Sequence, residues 1–415
     1  MAQTTTTGGD LFTQVLDFAN RSDPYPLYDR LRKMPVSLQN DGIYVINTYA
    51  EIAELLHDPR ISSDERKSNR GAGALVASGR LAPEGESGNP PFIFLDPPDH
   101  DRLRRLVMHQ FTPERVNNMR ERVVSLVAKF LEAQRDRGQI DIVDDLAYPL
   151  PVTVICELLG VPPEDESRFH GWATALARSL DPPQGMSQDE IRQAAQAAVQ
   201  MGEYLGELVE ARRIEPAGDL ISGMIASDDS SGRMDERELF GTLALLLVAG
   251  HETTVNLVAN GTLTLLRNPD VLHRLQREPG LIIPLVEEVL RYDPPVQFRT
   301  RTTLADIPIA GTIVPEGATV VLLLASGSRD ERRFPNAGQF VPDRADNVHL
   351  GFGGGIHYCV GAPLARMEAQ IALKGIASRL VAPRLATDPP PYRENAALRG
   401  PEHLFVEFEY LRQTA

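Results

Sequence analysis

The sequence predicts a mainly α protein with small β-sheets, on three observations. Apolar residues recur at helical spacing over long stretches. One apolar run of about 32 residues has a helix start signal and a stop signal, and strand-type alternation is confined to a few short segments.

Taken in order, "GIYVINTY" (Gly42 to Tyr49) alternates like a strand. The Gly/Ser-rich stretch from Ser62 to Pro91 reads as a long loop. Thr112 caps a helix with Pro113 in its first turn, and Val116, Met119, Val123, Val127, Phe130 and Leu131 line one face until Gly138. Cys156, within "LPVTVICELLG", reads as core filling. Asp235 and Glu238 form a capping-box start to the long helix, which runs to about Arg267 before "NPD" stops it. At about 1.5 Å per residue it spans roughly 48 Å, enough to cross a whole domain. "ADIPIAGTIV", "ATVVLLLA" and "HLFVEFEY" supply further strands. No repeat or interdomain linker divides the chain, so residues 1–415 read as one domain with a helix-rich main part and a smaller sheet-rich part.

Composition narrows the function. At 415 residues and 42% hydrophobic content the chain can bury a large core, and a net charge of -15 argues against nucleic acid or an anionic membrane as partner. The first residues lack a signal-peptide layout and the apolar runs are too short for a membrane span, so a cytoplasmic location is expected. Two cysteines, Cys156 and Cys359, cannot make a disulfide framework or a thiol-rich structural zinc site.

The chemistry concentrates in "GFGGGIHYCVG", Gly351 to Gly361. Neither spacing of a phosphate-cradling loop is present. A zinc site from His349, His357 and Cys359 lacks a fourth ligand, while a Cys–His nucleophile pair and a plain buried turn stay open. "GAPLARMEAQIALKGIASRL" follows with helical periodicity and places Cys359 at a helix N-terminus, where the dipole and free N–H groups favour a thiolate. Such a thiolate can bind a soft metal from one side while glycines keep side chains off a flat partner.

This loop resembles the haem-binding signature F-x-x-G-x-[HR]-x-C-x-G of the cytochrome P450 monooxygenases, matching through Phe352, Gly355, His357, Cys359 and Gly361. The likeness extends over most of the chain and is strongest to the soluble bacterial members; many of those have His where this chain has Gly354. It implies the prism-shaped fold of that family and non-covalent haem b (iron protoporphyrin IX) with Cys359 as the axial iron ligand. No C-x-x-C-H is present for covalent attachment.

Other segments fit the resemblance. "AGHETT", Ala249 to Thr254, interrupts the apolar helix with a glycine, a carboxylate and hydroxyls. On a structural reading, Thr253 bonds back to a preceding carbonyl and Glu252 makes a surface ion pair. The resemblance instead implies that the helix opens there into an oxygen-binding groove beside Ala249, with Thr253 and Glu252 as catalytic alcohol and acid. "EEVLR" supplies Glu288 and Arg291 of an E-x-x-R motif, with Arg344 of "FVPDR" as the third member of a structural network. In "DPPDHDRLRRLV", His100 and Arg104 match haem-propionate donors, as do Arg301 and His357.

The implied reaction inserts one atom of dioxygen into a small apolar organic substrate such as a lipid, terpenoid, polyketide or aromatic compound. The expected pocket draws on the Ser62–Pro91 loop, Leu245, Val248, Ala249, Val296, Gln297, Phe298 and the turn near Pro401, with Arg299 as a carboxylate anchor or a further propionate donor. No reductase motif follows Cys359, so electrons are expected from a separate ferredoxin and ferredoxin reductase, with Arg102, Arg105, Arg366 and Lys374 as docking contacts. A peroxide-driven haem enzyme and a haem sensor or carrier are the rival classes.

Overall fold

The computed structural model describes residues 11–70, 90–178, 180, 187–227 and 232–413. Of the expected Ser62–Pro91 loop, residues 71–89 lie outside the described residues.

The long helix, Glu236–Arg267, is the axis of the molecule. Its capping box is present: the Asp235 side chain accepts from Glu238 N–H at 2.8 Å and Glu238 reaches back to the Asp235 N–H at 2.9 Å. Twenty of its residues are buried, and it packs against the helices Pro149–Leu159, Ala362–Arg379 and Ile282–Tyr292. It is also the one helix among the described residues long and apolar enough to cross a membrane, but 67% of its most apolar window is buried inside the protein. Gly250 lacks the Cβ that would stand 3.2 Å from Ile155, so the Pro149–Leu159 helix can approach closely.

The expected helix from Thr112 to Gly138 is two helices. Thr112 does cap it, accepting from Arg115 N–H, but the first piece ends at Asn118 and the second runs Arg120–Glu132. Met119 N–H bonds to Val116, three residues back, and this tightened turn redirects the axis while Val116, Val123, Val127 and Leu131 all stay buried.

Among the described residues, ten short strands form three sheets. The largest has the order β1 (Val36–Leu38), β2 (Tyr44–Ile46), β8 (Thr319–Leu322), β5 (Arg299–Thr303), β3 (Ile61–Ser62), with β2 and β8 parallel and the other neighbours antiparallel. The second has the order β4 (Gln139–Asp141), β10 (Phe405–Glu407), β9 (Arg384–Leu385). β6 (Ile307–Ile309) and β7 (Thr312–Val314) form a hairpin whose turn, Ala310 and Gly311, has φ of 44° and 83°. Two smaller apolar clusters serve the first sheet: one gathers Phe12, Leu27, Tyr28, Val45, Phe298 and Val321, the other Ile46, Ile52, Ile307 and Val320.

Candidate functional site

The cysteine loop joins the sheet-rich part to the helical part. Cys359 N–H donates to Phe352 carbonyl at 3.1 Å, closing the loop, and the next helix begins at Ala362 with Gly361 as its N-cap. Cys359 therefore stands two residues ahead of that cap, with its sulfur accepting from the Gly361 N–H. Burial pushes its thiol up; that N–H and the guanidiniums of Arg104, Arg366 and Arg299 oppose the shift.

Gly355 has φ of 62°, and a Cβ there would lie 2.0 Å from the Leu56 carbonyl. Only glycine fits this approach to the Tyr49–Leu55 helix end. His57, beside Gly354, accepts the Gly355 N–H at Nε2 (3.2 Å) while its Nδ1 bonds the Ala53 carbonyl. On the other flank, Arg366 lies 4.5 Å over the Phe352 ring and forms an ion pair with Glu287 at 2.7 Å. Burial raises the Glu287 carboxyl, but His349 and Arg366 outweigh it and hold the group down at about 2.

A cluster of donors borders the loop. His100 and His357 approach to 4.3 Å between ring centroids. His100 is fully buried with Nδ1 against Asp101 at 2.8 Å, and its Nε2 has no hydrogen-bond partner among the described residues. His357 Nε2 meets Ser63 Oγ at 2.8 Å, and its Nδ1 is likewise buried without one. Burial, then Arg301 and His100, push the His357 ring down to about 3. Burial and the neighbouring Arg299 likewise push the Arg301 guanidinium down to about 10. These are groups disfavoured as cations by one another's company, which an anion would relieve. Orphaned ring nitrogens, a guanidinium and a cysteine on one loop fit a dianionic, iron-bearing macrocycle. Arg104 is turned to the loop itself, donating to the Tyr358 carbonyl at 2.6 Å.

The E-x-x-R network is complete and lies under the loop. Arg291 and Glu288 are both fully buried and pair at 2.7 Å through two bonds. Arg291 also donates to the carbonyls of Ser328, Ala337 and Gln339, while Glu288 accepts from Val341 N–H and Asn347. Arg344 stands 3.5 Å from Glu288.

On the long helix, Leu245, Val248 and Thr253 are only half-buried and Ala249 is exposed, an open strip along an otherwise buried helix. The expected opening of the helix is not seen: Glu236–Arg267 is continuous, and Gly250 serves a close contact with Ile155. Thr253 Oγ donates back to the Ala249 carbonyl at 2.9 Å. Glu252 turns away from Thr253 to an ion pair at 2.6 Å with Arg393, and it is 5% exposed. Both features of the structural reading are thus present, although the ion pair is buried rather than on the surface.

Several expected positions fall elsewhere. Gln297 is 1% exposed, its amide committed to Tyr28 and the Pro294 carbonyl, and Phe298 packs edge-on against Phe12 in the N-terminal cluster. Neither lines the open strip; Val296, half-buried, bridges to Leu398. Arg102 is not a free docking charge, being bonded to Glu238 of the capping box and to the Arg233 carbonyl. Sequence reading missed Ser63, His57 and Arg393, each of which reaches the site through the fold rather than through a local motif.

A cysteine on a glycine-rich loop at a helix start, buried nitrogen donors around it and a long helix with an open strip define a haem-thiolate class of protein. The sequence profile of the Cytochrome P450 family matches residues 35–407. Cytochrome P450 107B1 of Saccharopolyspora erythraea is 38% identical over 399 residues, covering 94% of this chain and 96% of that protein. The 6-deoxyerythronolide B hydroxylase of the same organism is 36% identical over 404 residues, covering 93% and 96%. The ligand-free crystal structure of Mycobacterium smegmatis CYP164A2 superposes with a TM-score of 0.87 at 40% identity, covering 96% of this chain and 99% of that one. The chain belongs to the cytochrome P450 family and is an enzyme of the monooxygenase type.

Proposed function

We propose that the chain is a single haem domain over residues 1–415, cytoplasmic, that inserts one atom of dioxygen into a small apolar organic molecule. The observation that carries this reading is the convergence of buried, unpartnered His100 Nε2 and His357 Nδ1 with Arg301 beside the Cys359 loop. Cys359 would hold the iron of non-covalent haem b; His100, His357 and Arg301 would hold its carboxylates, with Arg104 fixing the loop beneath them. The bound haem supplies dioxygen activation, helped by the electron density of a thiolate ligand.

The remaining work belongs to side chains. Thr253 donates its hydroxyl hydrogen bond to the Ala249 carbonyl, which leaves its oxygen lone pairs to act as a hydrogen-bond acceptor. Glu252, next to Thr253 in the chain and held by Arg393, is the acid that resupplies protons when its side chain swings from that partner. Leu245, Val248 and Ala249 offer an apolar wall, which excludes water and suits a lipid, terpenoid, polyketide or aromatic substrate. The relative named as 6-deoxyerythronolide B hydroxylase supports the polyketide class.

Electrons would come from a ferredoxin and its reductase. Ile356 and Tyr358 of the cysteine loop and Met108 are exposed apolar groups, and Arg105 and Lys374 are exposed basic residues. An acidic partner fits such a surface. One observation favours the peroxide-driven alternative: Thr253 and Glu252 are both engaged within the protein.

Turnover under ¹⁸O₂ with a ferredoxin, its reductase and NADPH tests the reading. One ¹⁸O atom per product molecule is expected for an accepted substrate. Product that forms at full rate from peroxide alone, or with oxygen derived from water, would overturn it.

A further inference from the structure

We infer that Ser63 is a positioning residue for His357, holding that ring so that its Nδ1 is turned toward a carboxylate of the anionic cofactor. The inference rests on the proposed role of His357 as a haem-side donor.

Ser63 is 3% exposed, and its Oγ lies 2.8 Å from His357 Nε2. Among the described residues nothing bonds His357 Nδ1, although it is buried. A neutral imidazole carries a single N–H, so whichever nitrogen is protonated is decided by the partner of the other. A carboxylate at Nδ1 requires the proton there. Nε2 must then accept, and the Ser63 hydroxyl is the donor in place to serve it.

Ser63 is itself held. Its N–H donates to Asp96 Oδ1 at 3.0 Å, while Ser62 Oγ and Lys67 Nζ (2.6 Å) donate to Asp96 Oδ2. Although burial raises the Asp96 carboxyl, those bonds keep it below the usual range. The anchoring carboxylate thus fixes the backbone of β3's end, which aims the Ser63 hydroxyl at the ring, much as outer hydrogen bonds orient metal-bound histidines. Ser62 is an internal control, because it shares the Asp96 anchor and has no bond to His357.

The experiment uses the diamagnetic ferrous carbon-monoxide form of the holoenzyme with ¹⁵N-histidine, the His357 signals being assigned from His357→Ala. Wild type and Ser62→Ala should show a neutral His357 ring with the proton on Nδ1 and a hydrogen-bonded Nε2, whereas Ser63→Ala should move the Nε2 resonance toward that of an unbonded ring nitrogen. The rate of haem transfer to excess apomyoglobin should rise about tenfold in Ser63→Ala, the scale of one weakened bond to a charged group. Ser63→Thr should restore both readouts, and Ser62→Ala should change neither. A doubly protonated or Nε2-protonated ring in wild type, or equal rates for Ser63→Ala and Ser62→Ala, overturns the inference. If His357→Ala accelerates haem loss and Ser63→Ala does not, the role of His357 stands and that of Ser63 falls. If His357→Ala leaves the rate unchanged, both fall.

Discussion

Substituting Gly355 by alanine should loosen the cysteine loop in a way that Gly353→Ala does not. Both glycines have positive φ, 62° and 70°. Each alanine therefore takes the cost of a left-handed backbone, about 1–2 kcal/mol. The two sites differ in what the new Cβ meets. At Gly353 the nearest atom is the His357 carbonyl oxygen at 3.9 Å, an ordinary contact. At Gly355 it is the Leu56 carbonyl oxygen at 2.0 Å, which is backbone at the end of a helix and cannot rotate aside. Overpacking of this kind adds about 1–3 kcal/mol. Gly355→Ala should thus cost about 2–5 kcal/mol in all, against about 1–2 for Gly353→Ala. Urea unfolding of both variants, with and without haem, reads the cost. Some of it should emerge as faster haem loss in Gly355→Ala, because relief of the contact displaces the loop that bears His357 and Cys359. Equal costs for the two variants would refute the close approach of the loop to Leu56.

Three further outcomes are expected. Arg291→Ala leaves the buried Glu288 carboxylate uncompensated and should destabilise by about 3–5 kcal/mol, whereas a double replacement of both residues by methionine should recover a measurable part; denaturant midpoints decide. In Thr253→Ala, hydrogen peroxide per reducing equivalent should rise and product should fall with haem binding retained, while Glu252→Gln should mainly slow turnover; unchanged coupling in Thr253→Ala would make its bond to Ala249 purely structural. Because Glu287 is held down at about 2, its contribution to stability is present above the ordinary glutamate range near 4.3 and is lost as pH falls from there toward 2. Arg366→Ala, or a His349 variant, should flatten that acid limb of the stability–pH curve.

What could be read from the chain depended on how local its cause was. The long helix was legible because Asp235, Glu238 and the apolar run between them and "NPD" are a contiguous signal. The cysteine loop and the Glu288–Arg291 pair were legible for the same reason, with spacings of a few residues carrying the geometry. β5, "RTRTT", gave no apolar alternation; it is held by cross-strand pairing to β8 and β3 that any β-branched sequence supports. Arg393 lies 141 residues from Glu252 and Ser63 lies 294 from His357, so neither pairing leaves a trace in spacing. Gln297 and Phe298 were expected at the pocket because their segment passes it. The side on which each side chain falls was decided by Tyr28 and Phe12, from the far end of the chain.

The central claim is that Cys359 ligates a haem iron, and the spectrum of the reduced carbon-monoxide complex tests it directly. Wild type should show the strongly red-shifted Soret band of thiolate ligation. Cys156→Ser should keep it, since that thiol is buried in the core and pushed up to about 12 by burial. Cys359→His should lose it. A Cys359→His protein that retains the band would place the iron ligand elsewhere and contradict the account.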